Sequence, residues 1–203
     1  MSISDILEHW ASIYRPISHN PAKGSKDKAF YLVRTIDMAS TFGNNSNTAK
    51  SPCMLYSMLC AGELKNGKMA QLAHQVWFMA RVTDTAEKLG IFSEQRMNDT
   101  NEELLNIALD CISYLAELKR SAVCPITGRS FKDDKQLALE LKALDLDTVG
   151  FGNPIDGLWQ NKWLVMGLDF HTLRPVYNFS CEAGGKYIYP DESETPEPPE
   201  ENG

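Results

Sequence analysis

The chain alternates between two kinds of apolar spacing, and the switch between them predicts its elements. Near the start, Ile6, Leu7, Trp10, Ile13 and Tyr14 recur at i, i+3, i+4 and i+7 behind Ser4, a residue type suited to helix capping. Arg15-Pro16 should end that helix, because the residue before proline is pushed out of the α region. Residues 17–28 hold His19, Pro21, Gly24, Lys23, Lys26 and Lys28 and read as an exposed basic loop. A short apolar run over 30–36 predicts a strand, and the Asn/Ser/Thr/Gly-rich stretch 40–52 a mobile loop.

The clearest pattern follows. Residues 53–61 and 69–82 are apolar, β-compatible runs separated by seven residues that contain Asn66-Gly67, a pair that tolerates the positive φ of tight turns, so an antiparallel hairpin is expected. In its second arm Gln75, Trp77, Met79 and Arg81 alternate with His74, Val76, Phe78 and Ala80. Large apolar groups thus point both ways, and the strand needs cover on both faces or a partner on one. Thr83-Asp84 opens a short helical segment ending near Gly90. Thr100 with Glu103 suggests a capping box, and Leu104, Leu105, Ala108, Leu109, Ile112, Leu115 and Ala116 trace one helical face as far as Arg120.

Beyond a break at 124–129 and a possible helical turn at 131–135, the spacing of Leu137, Leu139 and Leu141 favours a strand over 137–149, although the residue types favour helix. Gly150-Phe151-Gly152-Asn153-Pro154 with Asp156-Gly157 reads as a turn cluster. Leu164, Met166, Leu168 and Phe170 then predict a second strand, paired antiparallel with its predecessor. The expected fold class is α+β: a mixed or mainly antiparallel sheet with a long hairpin, packed against two or three helices. Residues 1–189 form one domain, and 190–203, PDESETPEPPEENG, a disordered acidic tail.

Charge changes the picture at one end only. The net charge is −7, and six of the negative charges lie in that tail; without them the remainder stands at −1. A nearly neutral folded part lacks the clustered Lys and Arg that displace counterions from phosphates, so sequence-specific nucleic-acid binding is not expected. No window holds the ~18 consecutive apolar residues of a membrane span. The five cysteines have no CxxC spacing, and the four histidines are scattered over separate elements, so neither a zinc site nor any other cofactor is expected. Nucleophile elbows and phosphate-binding glycine loops are absent, and the carboxylate pairs Asp133-Asp134 and Asp145 with Asp147 read as solvated. No catalytic residue is expected.

In order of elements, residues 5–16, 51–82, 102–120 and the run Gly152-Asn153-Pro154-Ile155-Asp156-Gly157-Leu158-Trp159 leading into 161–170 resemble the small α+β proteins at the neck and tail of tailed bacteriophages, the tail-terminator and tail-completion group. That resemblance implies a non-enzymatic structural protein without substrate or cofactor. It implies homo-oligomeric rings built through sheet edges, contacts to other virion proteins, and a place in the virion after assembly in the host cytoplasm. The long Asn/Ser loop and the acidic tail depart from the simplest members. On this reading the interface residues are Lys23, Lys26 and Lys28 of the basic loop, Asn66 and Gly67 at the hairpin turn, and Trp77 and Met79 in its second arm. A small binding or regulatory module of a mobile element, and an enzyme with an unrecognised site, are the competing readings.

Overall fold

The computed structural model describes residues 2–22, 24–33, 49–57, 62–65, 69–82, 94–121, 123–130, 141–152 and 163–175. Their elements, in chain order, are α1 (Ile3–Ile13), β1 (Phe30–Val33), β2 (Cys53–Ser57), β3 (Gly62–Lys65), β4 (Met69–Arg81), α2 (Glu94–Arg120), β5 (Leu144–Gly152) and β6 (Trp163–Pro175). The six strands form one mixed sheet in the order β1-β2-β4-β6-β5, with β3 added beside β4. Only the β1–β2 pair is parallel. The fold is α+β, as expected.

The expected hairpin is present, with a longer first arm than the residue pattern indicated. Its first arm is β2 and β3 in succession, both antiparallel to β4, and Lys65 already pairs with Met69. The connection is therefore residues 66–68, which include Asn66 and Gly67 and lie outside the described residues. Ser57 faces Gln75 and Gly62 faces Leu72, so the register against β4 shifts between β2 and β3. Gly62 is needed where the arm resumes: a Cβ there would sit 2.9 Å from Leu72 Cδ2 and 3.1 Å from the Gln71 carbonyl oxygen.

The central ribbon is β4 against β6, antiparallel and in register over all thirteen positions from Met69↔Pro175 to Arg81↔Trp163. At ~3.3 Å per residue it runs about 43 Å. Cross-strand partners share a face, so Met54, Phe78 and Met166 lie on one side of the sheet and Cys53, Met79 and Val165 on the other. The helices cover the first side. Trp10 of α1 meets Phe78 edge-on at 6.0 Å, stacks on Tyr14 at 4.6 Å and approaches Tyr114 of α2 at 6.4 Å. The Tyr14 hydroxyl bonds Asp110 Oδ2 at 2.6 Å, tying the end of α1 to the middle of α2.

The second side of the ribbon is enclosed as well: Cys53, Leu55, Met79, Trp163 and Val165 are all buried. Trp77 is 7% and Met79 0% exposed, so neither is free to meet a neighbouring molecule. The protomer itself satisfies the two-faced apolar pattern, and Gly167, opposite Trp77, places no side chain beside the indole.

Both helices begin earlier than their sequence signals suggested. Ser2, not Ser4, caps α1: its Oγ accepts from the Asp5 N–H, while the Asp5 carboxylate accepts from the Ser2 N–H, a closed capping box. Thr100 lies inside α2, its hydroxyl donating to the Arg96 carbonyl one turn back, so the Thr100/Glu103 pattern is no cap. The strand read over 137–149 starts at Leu144 and continues through Gly150, Phe151 and Gly152, which had read as a turn; Leu141–Ala143 is helical. Pairing with β6 supplies the bonds that hold these glycines extended. The segments expected at 40–48, 83–90, 131–135 and 190–203 lie outside the described residues. Among the described residues no helix is long and apolar enough to cross a membrane.

Candidate functional site

The surface that stands out is the β1/β3 edge of the sheet, with the loop that feeds it. Leu32 of β1 is 47% exposed and Leu64 of β3 61%, although Phe30 and Val33 beside Leu32 are buried. Among the described residues β1 and β3 each pair on one side only, and a strand paired on one side presents backbone donors and acceptors to another chain. Leu64 sits near the far end of the hairpin, where Gly62 and Glu63 are also exposed and Leu72 and Ala73 only half-buried. The hairpin is thus buried around Val76–Ala80 and uncovers towards its turn.

The loop between α1 and β1 is built differently from an open basic loop. Lys26 and Lys28 are exposed, as expected, and the Lys28 ammonium lies 5.3 Å from the centre of the Tyr31 ring. Lys23 lies outside the described residues. Ile17 and His19, however, are buried at 0% and 4%. His19 Nδ1 accepts the backbone N–H of Ala29 at 3.0 Å and of Phe30 at 3.3 Å, its Nε2 faces Glu8 Oε1 at 3.3 Å, and its own N–H donates to the Ala11 carbonyl at 2.9 Å. An acceptor at Nδ1 requires the neutral tautomer with the proton on Nε2, which then donates to Glu8. Only the composition of 17–28 was legible in the chain; the partners of His19 lie on two other elements.

Alongside α2 runs a groove. Towards α1 it is a cavity of about 390 Å³ with Tyr14, Pro16 and Ile107 as apolar lining and Glu102 among its carboxylates. Asp99 and Glu103 also line a second cavity of about 340 Å³, between α2 and the ends of β2 and β4, where Arg81 and Arg96 enter. Charges of both signs in a shallow groove suit a polar protein surface. Its phenol is not a proton acceptor: burial, and after it the Asp110 carboxylate, hold the Tyr14 hydroxyl protonated well above its ordinary range.

The remaining reactive groups hold the core together. His74, the hairpin histidine, joins three strands on the helix side: Tyr56 Oη lies 2.7 Å from Nδ1 and Thr172 Oγ1 2.9 Å from Nε2, with the Phe170 ring stacked at 5.0 Å. Both ring nitrogens have a partner within the sheet. Cys53 and Cys111 are fully buried, and that burial pushes both thiols far above the range in which a thiolate forms at neutral pH. Among the described residues no group of three His, Cys, Asp or Glu side chains is placed to hold a metal ion. Scanned against protein-family models the chain matches none, and a search of curated proteins likewise finds no match.

Proposed function

We propose that the protein is a non-enzymatic assembly component: it joins copies of itself, and neighbouring proteins, through the β1/β3 edge of its sheet. The observation that carries this reading is the pair of exposed leucines, Leu32 on β1 and Leu64 on β3, the two strands on that side of β4 that pair once among the described residues, in a sheet whose other large apolar groups are mostly enclosed. Lys26 and Lys28, exposed just before β1, supply charge beside that edge, and the mixed-charge groove along α2 supplies carboxylates for a complementary contact. In more specific form, the reading is a ring-forming protein of the neck or tail of a phage-like particle, of the tail-terminator or tail-completion kind, assembled in a host cytoplasm. The helices on one face of a mixed sheet and the long hairpin support it. Trp77 and Met79 have no part in the contact.

Light scattering coupled to size exclusion, with electron microscopy of the main species, tests the proposal. A closed ring or other homo-oligomer is the expected result. A monomer at every concentration up to the millimolar range overturns it.

A further inference from the structure

We propose that His19 is a proton-controlled latch: the neutral imidazole holds the α1–β1 loop and the first N–H groups of edge strand β1 in place, and its protonation lets them go. The geometry is specific. One ring nitrogen takes two backbone donors, Ala29 and Phe30, where the chain enters β1; the other reaches Glu8 on α1. The next contact along is the entry of β1 itself, since the Met54 N–H donates to the Ala29 carbonyl at 2.7 Å. A single ring therefore ties helix, loop and edge strand together, inside a site that leaves 4% of the residue exposed.

Protonation reverses the chemistry at one atom. Imidazolium carries N–H on both nitrogens and accepts nothing, so Nδ1–H would confront the Ala29 and Phe30 N–H groups and three donors would converge without an acceptor. The charged groups facing the ring come from three directions: Glu8 on α1, Lys28 just before β1, and Lys50 ahead of β2, whose ammonium donates to the Ser18 carbonyl at 3.0 Å. Burial and the two lysines favour the neutral ring, Glu8 opposes them, and the net direction is downward from 6.5. The released form thus binds its proton more tightly than the latched form. The latch holds above pH 6.5 and weakens as pH falls from there through the latched-state value, by up to about tenfold per pH unit for one proton. This inference stands whether or not the β1 edge is an assembly surface.

Hydrogen exchange of the full-length protein, read by NMR and corrected for intrinsic rates, tests it between pH 7.5 and 4.5. Ala29 and Phe30 amides should keep constant protection above pH 6.5 and lose it below, while the Phe78 amide in β4 stays protected. His19→Asn offers Oδ1 as an acceptor that does not titrate, and should flatten the profile. Glu8→Gln removes the carboxylate that favours imidazolium in the latched form, so the fall should still begin near pH 6.5 but run deeper and continue to lower pH. These two variants and the wild-type profile are separate readouts, so a poorly folding His19→Asn still leaves the other two. The latch is overturned if Ala29 and Phe30 lose protection only together with Phe78, if no fall occurs, if His19→Asn falls like the wild type, or if Glu8→Gln makes the fall shallower than in the wild type.

Discussion

The two edges of the sheet are finished in opposite ways. At the β5 edge, Leu144 and Asp145 pair with Thr172 and His171, but pairing resumes only at Gly150 with Asp169. Six positions on β5, 145–150, stand opposite three on β6, and the excess forms a bulge in which Asp145 Oδ1 accepts the Asp147 N–H and Oδ2 the Thr148 hydroxyl. Lys119 of α2 donates to the Leu144 carbonyl as well. Bulges and lysines are the devices by which natural sheets refuse a further strand. At the β1/β3 edge Leu32 and Leu64 are exposed, as Phe151 is on β5, but the backbone at the start of β1 is held by a buried histidine. One edge is closed by a bulged backbone pinned by the Asp145 carboxylate, while the other is closed in part by a ring that can change its charge.

Both edges hang from the β4–β6 ribbon, so the largest effect comes from breaking that. Phe78→Ala should cost about 3–5 kcal/mol in urea unfolding, and Trp77→Ala, from the opposite face, a similar amount. A cost below about 1 kcal/mol for Trp77→Ala would mean the second face is not enclosed and would restore Trp77 as an interface residue. His74→Ala removes the bonds that tie β2 to β4 and β6, and the loss of these two buried bonds should cost about 2–3 kcal/mol. A neutral result would show that the network does not couple the two halves of the sheet.

Smaller substitutions sharpen the contrast. Leu32→Lys with Leu64→Lys should change stability by less than about 0.5 kcal/mol, as exposed sites do, yet shift the light-scattering mass to the monomer. Phe151→Lys, on the bulged β5 edge and 54% exposed, should leave the mass unchanged; the reverse outcome would reassign the interface to β5. The smallest effect is expected at Asp169, where the β5 bulge ends. Burial raises its carboxyl above 3.8, against the Gln75 hydrogen bond and His171, so folding favours the protonated form. The residue is exposed overall, which keeps the effect small. The stability held by protonated Asp169 is complete below 3.8 and lost as pH rises through the folded value, so Asp169→Asn should raise the urea midpoint slightly at pH 7 and lose that advantage by pH 3.5. A lowered midpoint at pH 7 would reverse the sign.

Periodicity revealed what depends on near neighbours. The stripe of Ile6, Leu7 and Trp10 and the one from Leu104 to Leu115 needed no partner to be read; Ile6, Leu7, Trp10, Leu104, Ala108 and Leu115 are buried, while Leu109 at the margin of the second stripe is exposed. The hairpin was legible because Asn66-Gly67 sits between two β-compatible runs. Helix starts were less so, since Ser2 and Ser4 are equally good caps by type and Thr100 caps nothing. Exposure was misread where tertiary cover mattered: Trp77 and Met79 looked like excess apolar surface and are buried, while Leu32 and Leu64, one leucine in each short strand, carried no pattern and are exposed. His19 stood in a stretch of lysines, prolines and glycine whose composition speaks of exposure, and it is buried because Glu8 and the start of β1 close around it.

By itself the sequence determined the helical stripes, the hairpin and the α+β class, because each follows from side chains spaced a few positions apart on one rigid element. Only the tertiary structure decided that β6 lies along the whole of β4, that both faces of that ribbon are enclosed, and that the β5 edge is bulged while the start of β1 is held by a buried histidine. Those outcomes join residues about a hundred positions apart, as His74 and Thr172 are joined. Local spacing carries no information about such pairs until the chain has folded and burial has chosen among them.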